Sequence, residues 1–158
     1  MSKAVVWSLL IVVLIGAVAF IFAQDEESEL PDTAPELGND LSWFDDHALG
    51  LKKASDESRL IVIDAWANWC SSCKKLWKDT FMDPRVQDRL KSYVRVKLNM
   101  DEKKNVLYWE QYSMNGGLPW VGFLTPDGIV HEEHTLRDYE APDSFLERLD
   151  AFEASVGR

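Results

Sequence analysis

A chain of 158 residues has room for one domain and short attachments. Its 27 acidic residues outnumber 17 basic ones, a net charge of −10, and nothing offers the basic stripe that a nucleic-acid binder needs. Two cysteines are too few for a disulfide framework.

The chain opens on a membrane signal. Lys3 precedes residues 4–23, twenty positions without a charge. A helix of that length is about 30 Å long, enough to cross the hydrocarbon core of a bilayer. It would be apolar all round, which does not suit a surface helix of a globular domain. The rival reading is a cleavable signal peptide, with Ala17-Val18-Ala19 as an A-x-A-like site. Cleavage there leaves Phe20-Ile21-Phe22 at the new end, and cleavage after Ala23 sets bulky Ile21 where a small residue belongs. An uncleaved anchor over residues 1–23 is therefore the expectation. No cysteine lies near the end of the run, which excludes a lipoprotein. Lys3 before the run and Asp25-Glu26-Glu27-Ser28-Glu29 after it send the remainder out of the cytoplasm. Disulfide chemistry persists there. Residues 24–40 read as an acidic linker, with Pro31, Pro35 and Gly38 and too little apolar content to bury.

Residues 41–158 read as the folded domain. A helical pattern starts near Leu41 and passes through Ala48, Leu49 and Ala54, with Ser42 or Asp40 as N-cap. Gly50 weakens its middle, and His47 within it reads as structural. Residues 60–67 begin Leu60-Ile61-Val62-Ile63, a composition that suits a buried strand. Asp64 interrupts that strand. A carboxyl there is costly unless it has a partner or a task, and burial raises its pKa. Trp66 and Trp69 follow, placed to pack around Cys70-Ser71-Ser72-Cys73.

This segment opens a helix predicted over residues 70–82. Cysteines three apart lie one turn apart, so both sulfurs share a face and can form or open a disulfide. Cys70 sits at the helix start, where unpaired N–H groups and the macrodipole favour a thiolate. Two further ligands at finger spacing are absent, so no zinc site is expected.

Asp83-Pro84 reads as an N-cap with proline at the first helical position. Residues 93–98 alternate weakly as a strand, and residues 101–114 read as a helix with Val106, Leu107, Trp109 and Tyr112 apolar. Residues 120–124 are a strand, Thr125-Pro126-Asp127-Gly128 is a turn, and residues 129–136 are its antiparallel edge partner. His131-Glu132-Glu133-His134 is one residue short of the helical zinc signature, and on a strand its histidines point to opposite faces. Residues 141–156 form a terminal helix with Phe145, Leu146, Leu149 and Phe152 on one side. The order is that of an α/β domain.

Asp64-x-Trp66-Ala67-x-Trp69-Cys70-x-x-Cys73-Lys74 resembles the active-site segment of the thioredoxin superfamily. With Thr80-Phe81-Met82-Asp83-Pro84-Arg85-Val86 and Gly117-Leu118-Pro119, the chain resembles in particular the C-terminal thioredoxin-like domain of the thiol:disulfide interchange protein DsbD family. The likeness runs over residues 41–152. It implies a thioredoxin fold, a central mixed β-sheet flanked by helices, here behind an N-terminal transmembrane helix. It implies that Cys70 and Cys73 form a redox-active disulfide and that Asp64 accepts the proton of the second thiol. It also implies a cis peptide after Leu118, with substrate docking at Leu118 and Pro119; Trp69, which abuts Cys70, is expected to line the same substrate surface. Gly116-Gly117 adds a flexible residue to the family pattern, and Trp120 stands where threonine is usual. Trp120 is expected to enlarge an apolar docking patch.

The resemblance implies a protein-disulfide reductase without cofactor or metal. It would sit in the inner membrane with its domain on the periplasmic side, act on disulfide-bearing exported proteins, and take electrons from a membrane donor of DsbD type. The residues leave a second class open: a binding or chaperone-like module, or an assembly factor as in cytochrome c maturation, in which the cysteines are secondary.

Overall fold

β1 (Ile61–Trp66) is the middle strand of the domain. The computed structural model describes residues 42–158; the expected anchor at 1–23 and linker at 24–40 lie outside the described residues. Among the described residues no helix is long and apolar enough to cross a membrane. β2 (Val94–Asn99) runs parallel to β1 on one side and β3 (Trp120–Leu124) antiparallel on the other. The sheet is therefore mixed, in the order β2-β1-β3.

Strand periodicity divides the core in two. Ile61, Ile63 and Ala65 face one side with Val94, Val96, Leu98, Trp120 and Leu124. Val62 faces the other with Val121 and Phe123, under Leu76, Phe81, Phe145, Leu149 and Phe152 from the helices. Asp64 shares the second face with Val62, so the fold aims it at the helix that carries the cysteines. Lys97 is its register partner on β2.

The helices follow their caps. α1 (His47–Glu57) starts at Asp46, whose side chain accepts from Leu49 N, and not at Ser42 or Asp40. The start moves because Phe44 is drawn to the outer edge of β2, donating to Arg95 O at 2.8 Å and accepting from Lys97 N at 2.8 Å. His47 is buried; its ring bonds the Tyr112 hydroxyl and lies 4.2 Å from the Tyr108 ring. Burial holds its pKa below the usual value. A Cβ at Gly50 would sit 2.3 Å from Val96 Cγ2, so this glycine lets α1 lie close on β2.

α2 (Ser71–Leu76) continues into a π-helical turn, Trp77–Phe81. α3 (Pro84–Leu90) has the predicted Asp83 cap and leading proline. The helix expected over 101–114 is only a 3₁₀ turn, Lys103–Asn105, and the single turn α4 (Tyr108–Gln111). Asn99 Oδ1 accepts from Asp101 N, and Asn105 Nδ2 donates to Asn99 O, so side chains take backbone partners from a longer helix. α5 (Pro142–Ser155) buries Phe145, Leu149 and Phe152 as expected.

The turn at 125–128 forms, with Gly128 at φ +84°. Beyond it the expected edge strand is reduced to two bridges, Leu124↔Val130 and Val121↔Leu136. A 3₁₀ turn, Glu132–His134, lifts the chain away between them. That turn also overturns the expected strand geometry of His131 and His134. Both rings pack on Phe152, with centroids 5.2 and 5.7 Å from it.

Candidate active site

The site begins where β1 ends. Asn68 N donates to Asp101 Oδ2 at 2.8 Å, which fixes the loop before the cysteines. Cys70 N donates to Ala67 O at 3.1 Å, and Cys70 is the N-cap of α2. Its Sγ accepts from Cys73 N at 3.1 Å, the place a serine or aspartate oxygen takes in an ordinary cap. Cys70 and Cys73 are joined in a disulfide with Cα atoms 5.3 Å apart. They are only 4% and 1% exposed and pack with Ala67, Trp66 and Leu118. Trp69 beside them is 68% exposed.

The Leu118–Pro119 peptide is cis. Gly117 precedes it at φ +90°, a conformation that a residue with Cβ rarely adopts. Leu118 is half-buried against the disulfide and Pro119 is buried. Trp120 goes elsewhere. Its side chain is fully buried, stacks on Tyr112 at 5.2 Å, and lies over Gly122, where a Cβ would be 2.1 Å from Cη2. The strand pleat turns residue 120 into the core, so its side chain adds nothing to the expected docking patch.

Asp64 is fully buried. Its Oδ2 accepts from Trp77 Nε1 at 2.5 Å, and its Oδ1 has no hydrogen-bond partner among the described residues. Burial pushes the carboxyl up from its usual 3.8 to about 6, while the Trp77 N–H and the Lys97 charge pull it back. Burial in turn holds Lys97 below its usual pKa, opposed by Asp64. The Lys97 ammonium lies 3.3 Å from the Trp77 ring centre and 4.7 Å from that of Trp66. An open groove of about 360 Å³ is lined by Trp66, Cys73, Lys74, Trp77, Lys78, Met82 and Lys97.

Trp77 and Lys97 are the residues that sequence reasoning missed. The signal for Trp77 was its spacing, four residues after Cys73 and so on the same helix face. The signal for Lys97 was a cation on a strand otherwise apolar at Val94, Val96 and Leu98. Chemically, the arrangement is a dithiol–disulfide pair at a helix start, with a buried carboxyl of raised pKa gripped by Trp77 of the continuing helix.

The thioredoxin-like family pattern matches residues 42–126. The chain is 30% identical over 87 residues to the thiol:disulfide interchange protein DsbD of Pseudoalteromonas atlantica, which covers 54% of this chain and 14% of that protein. It is 28% identical over 91 residues to DsbD of Escherichia coli K12, covering 56% of this chain and 16% of that protein. The match thus spans less than a fifth of either relative. Among solved structures, the oxidised C-terminal domain of Neisseria meningitidis DsbD superposes with a TM-score of 0.54 at 24% identity, covering 70% of this chain and 98% of that one. A thioredoxin from Thermus thermophilus superposes with a TM-score of 0.62 at 22% identity, covering 71% of this chain and 86% of that one. Both likenesses carry the fold alone, a thioredoxin fold with a mixed sheet. With the family pattern spanning more than half of the 158 residues and the Cys70–Cys73 disulfide inside it, the chain belongs to the thioredoxin-like family.

Proposed function

We propose that the chain is a membrane-anchored thiol:disulfide oxidoreductase that reduces disulfides in exported proteins. The observation that carries this reading is the Cys70–Cys73 disulfide at the start of α2, packed against Leu118 of a cis Leu118–Pro119 peptide. The uncharged run at 4–23 supports an anchor with the domain on the periplasmic side. The DsbD relatives support a membrane electron donor.

In the reduced protein the Cys70 thiolate attacks a partner disulfide. The partner's S–S bond breaks, a Cys70–partner disulfide forms, and the first partner sulfur leaves and takes a proton. Cys73 then gives its proton to Asp64 and attacks Cys70 Sγ. The Cys70–partner bond breaks, the Cys70–Cys73 disulfide forms, and the second partner sulfur leaves as thiolate. The partner has gained two electrons, which the donor must later return to the cysteine pair. Docking falls to exposed Trp69 and to the backbone at Leu118, against which an extended segment adds as a strand would.

Direction follows from the residues between the cysteines. Ser71-Ser72 brings no charge to Cys70, and Lys74 and Lys75 are exposed. The thiolate is only moderately stabilised, so the disulfide is hard to reduce and the dithiol is a good reductant.

Insulin reduction tests the reading. Wild-type protein with a thiol regenerant is expected to precipitate insulin B chain, Cys70→Ser to lose all turnover, and Cys73→Ser to accumulate a mixed disulfide. A wild-type rate no greater than that of Cys70→Ser would leave the binding or assembly role instead.

A further inference from the structure

We propose that Trp77 is a positioning residue for the closing step: its indole N–H holds Asp64 by Oδ2 and leaves Oδ1 as the oxygen that takes the Cys73 proton. The proposal rests on the reductase reading above and adds a residue that thiol chemistry by itself does not call for.

The geometry points this way from three sides. Asp64 has two oxygens in a fully buried place, and among the described residues only one of them is bonded. A buried acceptor left without a donor is costly and asks for an explanation. A proton arriving from Cys73 is such an explanation. Cys73 and Trp77 are four apart in continuous helix, so they stand one above the other on one face. The carboxyl that Trp77 grips is therefore held from the helix face that also carries Cys73, the thiol that must be deprotonated.

Trp77 cannot easily swing away. Its ring centre lies 5.2 Å from Trp43 and 5.3 Å from Phe81, and the Lys97 ammonium covers its face at 3.3 Å. Phe81 is itself buried. The cation also draws electron density from the indole, which makes the N–H a stronger donor. Lys97 thus acts on Asp64 through space and through Trp77.

The residue type matters too. An indole N–H donates only and does not titrate near neutral pH. A serine, tyrosine or histidine at 77 could accept as well as donate, and so exchange roles with the carboxyl. Trp77 orients the base without competing for the proton. Its bond also favours the charged form and, with the Lys97 charge, opposes the burial that raises the carboxyl's pKa.

The step balances. The Cys73 S–H bond breaks and an O–H bond forms at Oδ1. The Cys73 sulfur joins Cys70 Sγ as the Cys70–partner bond breaks, and the partner leaves as thiolate. Asp64 later releases its proton to water or to the leaving thiolate.

The test uses the reduced full chain and dithiobis-nitrobenzoate, which releases a coloured thiolate at each of two steps. The first release reports Cys70 attack and the second reports closure by Cys73. Trp77→Phe keeps a ring but removes the N–H. Its effect is expected on the second phase, whose pH midpoint moves up by about one unit, with a loss of about tenfold below the midpoint. Asp64→Asn is expected to abolish that midpoint. A Trp77→Phe second phase with the wild-type pH profile overturns the proposal and leaves the reductase reading standing. A wild-type protein that releases neither thiolate sinks the reductase reading itself. Should Trp77→Phe fail to fold, the assigned Trp77 indole N–H resonance of the wild type decides. A shift that follows the Asp64 titration, and is lost in Asp64→Asn, supports the bond; an indole indifferent to pH overturns it.

Discussion

At neutral pH the Asp64 carboxyl is charged in a place that disfavours charge. Folded, its pKa is pushed up to about 6; its usual value is 3.8. Between those values the unfolded chain has released a proton that the folded chain keeps. Stability from this group is therefore greatest below about pH 4, falls as pH rises to about 6, and stays lowered above that. The gap corresponds to about 3 kcal/mol. Asp64→Asn cannot ionise, so the difference in unfolding free energy between variant and wild type is expected to be about 2 kcal/mol larger at pH 7 than at pH 4, where part of the gap is already open. Urea unfolding of the oxidised proteins at several pH values measures it, and parallel curves would refute it. Asp64 is legible in the sequence as the one polar break in an apolar strand. Trp77 and Lys97 are not, because they lie on other elements. Only the helix spacing from Cys73 and the Asp64↔Lys97 register bring them together.

At the scale of elements, α1 shows two effects in competition. Gly50 lies inside the helix, where alanine is favoured by about 1 kcal/mol. Yet a Cβ there would meet Val96 Cγ2 at 2.3 Å. Val96 is fully buried and β-branched, so it cannot turn aside. Overpacking costs about 1–3 kcal/mol and outweighs the propensity gain. Gly50→Ala is expected to lower stability by about 1 kcal/mol, and less so in a Val96→Ala background. Thermal unfolding of the single and double variants checks this, and additive effects would show that the two do not touch. The central strands, the Asp83 cap and α5 are legible because local pattern and tertiary burial agree there. The start of α1 is not, since Phe44 fits a helix as well as it fits the sheet edge. The break within 101–114 is hidden for a related reason: Asn99 and Asn105 act through their side chains, which periodicity does not weigh.

For the whole molecule, the order of elements and the cysteine segment are enough to read an α/β domain built for thiol exchange. The sidedness of Trp120 is not, because one residue of register decides whether it faces a partner or the core. The sheet also has limits that its element order does not reveal. On the outer edge of β2, among the described residues, Phe44 alone makes the ladder contacts, through Arg95 O and Lys97 N. An open edge is a template for a strand from another molecule. That single residue therefore guards the colloidal behaviour of the protein as well as its packing. Phe44→Pro removes the N–H that Arg95 accepts and frees the edge. The variant is expected to self-associate as its concentration rises, read by light scattering after size exclusion. A mass equal to the parent's at every concentration would show that other features keep the copies apart.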